Sequence, residues 1–122
     1  MAKILVVEDN PDNMTLAVLL LRSAGHTVFS AIDAEAGLTM AHDELPNLIL
    51  MDIQLPGMDG LQATALLKGD RATSSIPVIA LTALAMKGDE ERIRAAGCDG
   101  YIAKPMSVHQ FLATVAARLV TS

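Results

Sequence analysis

The sequence predicts an α/β fold: a doubly wound, five-stranded parallel sheet with five helices covering its two faces. Two observations predict it. Ile4-Leu5-Val6-Val7, Leu48-Ile49-Leu50-Met51 and Val78-Ile79-Ala80-Leu81 are short continuous apolar runs with β-branched content. Continuous rather than alternating runs suit strands buried on both faces. Between the runs the apolar spacing changes to that of amphipathic helices. Strands that alternate with helices argue a parallel sheet with right-handed crossovers.

In chain order, the strand Ile4–Val7 is followed by a helix from about Asn13 to Ala24, for which Asp12 can serve as the cap, although Asn10-Pro11-Asp12 as a whole also reads as a helix start. Met14, Ala17, Val18 and Leu21 form its inward stripe and Gly25 ends it. Leu16, Leu19 and Leu20 add more apolar surface than one sheet face requires. A weaker strand, Thr27–Ala31, leads through the capping residue Asp33 to a helix from Ala34 to about Glu44, ended by Pro46. After the strand Leu48–Met51, a helix from about Leu61 to Lys68 ends at Gly69. After Val78–Leu81, a helix from about Lys87 to Ala96 carries Glu90 and Arg94 four residues apart and ends at Gly97. A short strand, Gly100–Ala103, precedes a last helix that starts after Pro105 and Ser107, with Val108, Phe111, Leu112, Val115 and Leu119 on one stripe. With 122 residues, no interior linker and no repeat, residues 1–122 read as one domain.

Composition removes several functional classes. Fourteen acids against nine bases give a net charge of −5, which argues against a nucleic-acid or anionic-membrane partner. Phe29, Tyr101 and Phe111 are the only aromatics, too few for a base-stacking platform. The longest unbroken apolar run, Leu16 to Leu21, is far short of the ~20 residues a spanning helix needs. No charged-then-apolar leader opens the chain, so a cytoplasmic location is expected. The single Cys98 excludes a disulfide framework and any CxxC site, and reads as a small buried or half-buried residue. His26, His42 and His109 lack ligand spacing and read as surface residues.

The chemistry lies at the strand ends. Glu8 and Asp9 follow Val7, Asp52 follows Met51, Thr82 follows Leu81, and Lys104 with Pro105 follows Ala103. In open parallel sheets ligands bind outside the carboxyl ends of the strands. Any one of these residues could merely mark where a strand surfaces. Together, three carboxylates at one edge repel and raise one another's pKa, which suggests a cation to hold. Oxygen ligands without His or Cys suit Mg²⁺. With Mg²⁺ and Lys104 the pocket would attract a phosphoryl group, and one carboxylate could accept it as an acyl phosphate.

These residues make the chain similar to the receiver domain of bacterial two-component response regulators over essentially its whole length. The matching pieces are Val6-Val7-Glu8-Asp9-Asn10, Leu50-Met51-Asp52-Ile53-Gln54-Leu55-Pro56-Gly57-Met58-Asp59-Gly60, Pro77-Val78-Ile79-Ala80-Leu81-Thr82-Ala83 and Tyr101-Ile102-Ala103-Lys104-Pro105. The stretch Ala83 to Arg94, followed by Gly97-Cys98, looks like that of stand-alone cell-division regulators within the family. The resemblance implies the flavodoxin-like, CheY-like strand order 2-1-3-4-5. It implies Asp52 as the acceptor of a phosphoryl group from a phosphohistidine on a sensor histidine kinase or phosphotransfer protein. Mg²⁺ would be held by Asp9, Asp52, the backbone carbonyl of Gln54 and, through water, Glu8. Lys104 would pair with the phosphoryl oxygens, and Thr82 would move its hydroxyl toward them. Tyr101 would swing between outward and buried rotamers, and the Lys104–Pro105 bond would be cis. The output surface would lie on the fourth helix, fifth strand and fifth helix, including Met86, Lys87, Glu91, Met106 and His109. Gln54 and Leu84 would tune dephosphorylation.

Other readings fit less well. A lone Tyr in a strand is ordinarily packing, and only the resemblance makes Tyr101 a switch. A haloacid-dehalogenase-like phosphatase needs a second Asp where Gln54 stands. A flavodoxin needs a Ser/Thr/Gly-rich phosphate loop where Glu8-Asp9 would repel the ligand. No Walker A, GxGxxG, GxSxG or HExxH motif occurs, and Gln54 and Pro56 occupy ligand positions of a calcium loop. The expectation is a single-domain response regulator without enzymatic output, a monomer or weak dimer that signals through protein contacts. The alternative is a receiver excised from a hybrid histidine kinase or longer regulator. Met1 directly before the first strand and the end at Ser122 favour the former.

Overall fold

A computed structural model describes residues 2–83, 87–104 and 107–120. The elements follow the predicted alternation: β1 (Lys3–Val7), α1 (Pro11–Ser23), β2 (Thr27–Ala31), α2 (Ala34–Glu44), β3 (Leu48–Asp52), α3 (Gly60–Gly69), β4 (Val78–Thr82), α4 (Lys87–Ala95), β5 (Gly100–Ala103) and α5 (Val108–Val120). All pairings are parallel and the strand order is β2-β1-β3-β4-β5.

The continuous apolar runs are explained by two separate cores, since successive strand side chains point to opposite faces. Leu5, Val7, Ile49, Met51, Val78 and Ala80 face a core shared with Ala34, Ala41, Ala63, Leu67 and Ile93 of α2, α3 and α4. Ile4, Val6, Leu48, Leu50, Ile79, Leu81 and Ile102 face the other, filled by Ala17 and Leu21 of α1 and by Phe111 and Val115 of α5. Phe111 is fully buried, worth roughly 2–3 kcal/mol of apolar transfer. Every residue of β3 and β4 is buried, whereas the edge strand β2 is half-exposed, which is why its sequence signal is weaker.

The first helix differs from expectation at its start. Asn10, not Asp12, is the cap: its side chain accepts hydrogen bonds from the Asp12 and Asn13 amides, both at 3.0 Å. Pro11 takes the first helical position, where its missing N–H costs nothing. Gly25, at φ +93°, closes the helix, with the Gly25 amide donating to Arg22 and the His26 amide to Leu21. Asp33 caps α2 as expected. That helix ends on Leu45 at φ +47°, a left-handed conformation that costs a Leu about 1–2 kcal/mol and lets the chain turn into Pro46. Asp59 and Gln62 form a reciprocal capping box that starts α3 at Gly60, one residue earlier than predicted. Of the extra apolar residues of α1, Leu19 is 63 % exposed and Leu16 39 %, whereas Leu20 is half-buried and packs against the core.

Candidate functional site

The parallel register delivers the strand ends to one edge of the sheet. Val7 lies beside Met51, and Asp52 lies beside Leu81. Thr82 pairs with Ala103, so Lys104 leaves β5 next to the end of β4, with its amide donating to the Thr82 carbonyl at 2.7 Å. Asp52 and Thr82 are the last residues of their strands rather than the first after them, because the ladder extends one residue beyond the apolar run.

Three acids meet there. Glu8, Asp9 and Asp52 each bring a carboxylate oxygen within 4.8 Å of the others, and they form the one such cluster among the described residues. Glu8 is 1 % exposed and Asp52 3 %, whereas Asp9 is exposed. Lys104 bridges the two buried acids, with Nζ 2.7 Å from Glu8 Oε1 and 3.3 Å from Asp52 Oδ2. The Gln54 amide donates to Asp52 Oδ1 at 2.9 Å, and the Asn10 amide to Glu8 Oε2 at 3.2 Å. These two amides orient the carboxylates; neither contact is legible in the sequence, because each depends on the turn after its strand.

One cation for two buried acids leaves the pocket short of positive charge. Burial, reinforced by Asp52, pushes the Glu8 carboxyl up to about 7 despite Lys104 and the Asn10 amide. Burial acts upward on Asp52 too, but the hydrogen bond with Glu8, the Gln54 amide and the Lys104 charge outweigh it and hold this carboxyl below its usual range. Burial opposes the Lys104 ammonium, but the hydrogen bond to Glu8 and the charge of Asp52 push its pKa up. Without metal, the proton of this pair sits on Glu8 while Asp52 stays ionised.

The Glu8 shift has a stability consequence with a definite sign. Between 4.5 and about 7 the folded chain holds a proton that the unfolded chain has lost. Stability of the metal-free protein should therefore fall by on the order of 2 kcal/mol as pH rises from about 5 to 7. Asp52 acts in the opposite sense, as pH falls below its ordinary value of 3.8, outside that window. Urea denaturation in chelator-containing buffer should show the decline, and Glu8→Gln should remove it.

The donor set fits a hard divalent cation. All three groups are carboxylates, and opposite oxygens around Mg²⁺ stand about 4.2 Å apart, the scale of this cluster. Both Glu8 oxygens already have partners, which fits a role through water, whereas Asp9 faces solvent.

Other predicted residues stand as follows. Thr82 is fully buried, one residue past the Asp52–Leu81 pair. Tyr101, paired with Ala80, is 37 % exposed on β5. Glu91 and His109 are exposed on α4 and α5. Leu84, Met86, Met106 and the cis Lys104–Pro105 bond lie outside the described residues, as does the side chain of Lys87. Cys98 is buried, and burial pushes its thiol pKa up, in keeping with an inert thiol. His42 and His109 are exposed and His26 half-buried.

One residue gains a role that sequence reasoning missed. A Cβ on Gly60 would lie 2.2 Å from the Asp52 carbonyl oxygen and 2.7 Å from Ile53 Cα. Bare backbone at the start of α3 therefore seats the end of β3. Its sequence signal was only a Gly after the capping residue Asp59.

Comparison with known proteins agrees with this site. The polar-differentiation response regulator DivK of Brucella ovis is 47 % identical over 116 residues, which cover 95 % of this chain and 94 % of that protein. The receiver domain of a Pseudomonas aeruginosa sensor histidine kinase, solved with a magnesium ion in its active site cleft, is 37 % identical and matches with a TM-score of 0.89 over 99 % of this chain and 98 % of that one. The chemotaxis protein CheY4 of Vibrio cholerae shares the fold at a TM-score of 0.93 and 25 % identity, over 98 % and 99 % of the two chains. The response regulator receiver domain model matches residues 4–116. With its CheY-like topology and its acidic pocket at the sheet edge, the chain belongs to the response regulator receiver family.

Proposed function

We propose that Asp52 accepts a phosphoryl group from a phosphohistidine of a sensor histidine kinase or phosphotransfer protein. An Asp52 carboxylate oxygen attacks phosphorus, the phosphorus–nitrogen bond breaks, and the imidazole leaves with the electron pair and takes up a proton. The reading rests on one observation: a buried carboxylate kept ionised by its hydrogen bonds with Glu8 and the Gln54 amide and by the Lys104 charge, in a cluster with two further acids. Mg²⁺, when bound by Asp9, Asp52, the Gln54 carbonyl and, through water, Glu8, would neutralise charge on the phosphoryl oxygens. Lys104, firmly protonated, supplies donors to the same oxygens. The Gln54 amide holds the acceptor carboxylate in orientation.

Phosphorylation then biases a two-state equilibrium. Thr82 draws its hydroxyl toward the phosphoryl group, Tyr101 changes rotamer, and the surface of α4, β5 and α5 changes for a downstream protein in the cytoplasm. Chemistry by the chain itself ends with acceptance and slow hydrolysis of the phosphoryl group. Incubation with acetyl phosphate and Mg²⁺ should yield a phosphoprotein carrying one phosphoryl group, detected by intact mass and removed by base or hydroxylamine as an acyl phosphate is. A chelator should abolish it. Absence of phosphoprotein with both reagents present would sink the proposal.

A further inference from the structure

Helix α4 is nine residues long, and among its described side chains, those of residues 88–95, only Ile93 is buried. A helix that short is not stable on its own. Its ion pairs, Asp89–Arg92 at 3.3 Å and Glu90–Arg94 at 3.0 Å, lie in largely exposed positions where such pairs contribute little. Its C-terminal end is heavily tied. Gly97, at φ +104°, closes the helix: its amide donates to Arg94 at 3.0 Å and the Cys98 amide to Ile93 at 3.3 Å. The buried Cys98 shares the core with Ile93, and its thiol lies 3.8 Å from Thr64 Oγ1 of α3.

Two cations then grip the following turn, one from each helical layer. Lys68 of α3 runs its stem over Gly97, where a Cβ would lie 2.9 Å from Lys68 Cγ. Its ammonium donates to the Ile76 carbonyl at 2.8 Å and to Asp99 Oδ2 at 3.0 Å. The same Asp99 oxygen accepts the Val78 amide at 2.8 Å, and the Asp99 amide donates to the Val78 carbonyl at 2.8 Å. From the opposite face, Arg118 of α5 donates to the Asp99 carbonyl and lies across Gly100, 3.1 Å from where a Cβ would stand. Gly97 and Gly100 thus leave room for one cationic side chain each.

We propose that residues 96–100 form a clamped pivot: Lys68 and Arg118 immobilise the turn through Asp99, so that α4 moves about Gly97 while β5 keeps its register on β4. Among the described residues, α4 is anchored by one buried apolar residue and by the fixed turn at its C-terminal end, an arrangement in which a helix can reorient without unzipping the adjacent strand. The clamp lies at the end of the sheet opposite Asp52, so it sets how α4 moves and leaves the acceptor chemistry untouched.

Amide hydrogen exchange on the full chain tests this without phosphorylation. Lys68→Met keeps the stem over Gly97 and removes the ammonium; Asp99→Asn removes the ion pair and retains an acceptor for Val78. Either variant should speed exchange in peptides covering 87–104 by about tenfold relative to peptides covering β1 and α1. Val28→Ala, which weakens the packing of the edge strand β2 at the far side of the sheet, should show no such bias. Acceleration no greater at 87–104 than elsewhere, or none, would overturn the clamp. Phosphoryl uptake from acetyl phosphate should stay within about twofold of wild type in Lys68→Met. Loss of uptake in that variant alone would overturn the separation of clamp from chemistry. Failure of uptake in the wild type would instead refute the acceptor role of Asp52 and leave the exchange result standing.

Discussion

Asp52→Asn should eliminate phosphoryl uptake from acetyl phosphate altogether while leaving the fold intact. The substitution keeps the shape and the acceptor for the Gln54 amide at 2.9 Å, so the turn after β3 has no reason to change. What it removes is the nucleophile, since an amide oxygen carries neither the charge nor the basicity to attack phosphorus. It also removes one of three clustered carboxylates, so Mg²⁺ affinity measured by calorimetry should fall by about tenfold or more. A parallel effect should appear next door. Asp52 is one of the groups that push Glu8 up, so Glu8 should titrate closer to its ordinary 4.5 in this variant. Circular dichroism checks the fold and intact mass checks uptake; a phosphoprotein formed by Asp52→Asn would place the acceptor elsewhere.

Gly60→Ala should damage the same site from a distance in sequence. A methyl group there would overlap the Asp52 carbonyl and the Ile53 Cα, both backbone atoms that no rotamer change can move aside. Either the start of α3 or the end of β3 must shift. Overpacking of this kind costs about 1–3 kcal/mol. Because Asp52 lies on the displaced strand end, Mg²⁺ affinity should fall by roughly 10- to 100-fold. Gly57→Ala is the informative contrast. Gly57 sits at φ +73° with open space around it, so an Ala there pays only backbone strain, about 1 kcal/mol, and should leave Mg²⁺ affinity unchanged. Urea denaturation and calorimetry on the two variants separate strain in a turn from displacement of the acceptor. Equal Mg²⁺ affinities in both would show that Gly60 does not position Asp52.

Much of the site was legible because strand ends announce themselves. A continuous apolar run that stops at an acid marks a carboxyl edge, and Glu8, Asp52 and Lys104 could be assigned to one edge from spacing alone. The cap of α1 was less legible. Asn10 and Asp12 are both good caps, and only the path of the loop after β1, which aims the Asn10 side chain at the Asp12 and Asn13 amides, selects the former. The orienting amides of Asn10 and Gln54 were illegible for a related reason: every residue but proline carries an amide, so its identity says nothing about where that amide points. Gly97 reads as a helix end and is one, whereas Gly60 stands one residue before the predicted start of α3 and proves to be its first residue. Their second function, admitting Asp52 backbone and the Lys68 stem, depends on neighbours far away in sequence.

The sequence by itself determined the order and kind of the elements, the burial of the sheet on both faces and the identity of the acidic residues, because apolar periodicity and strand-end chemistry are local properties of the chain. Only the tertiary structure decided how charge is divided within the pocket. Three acids and one lysine could be arranged in many ways. Burial and the neighbouring Asp52 raise Glu8 even with Lys104 only 2.7 Å away, while Glu8, the Gln54 amide and Lys104 at 3.3 Å together keep Asp52 ionised. That outcome depends on distance and desolvation, which exist only once β1, β3, β4 and β5 bring their carboxyl ends to one edge of the sheet.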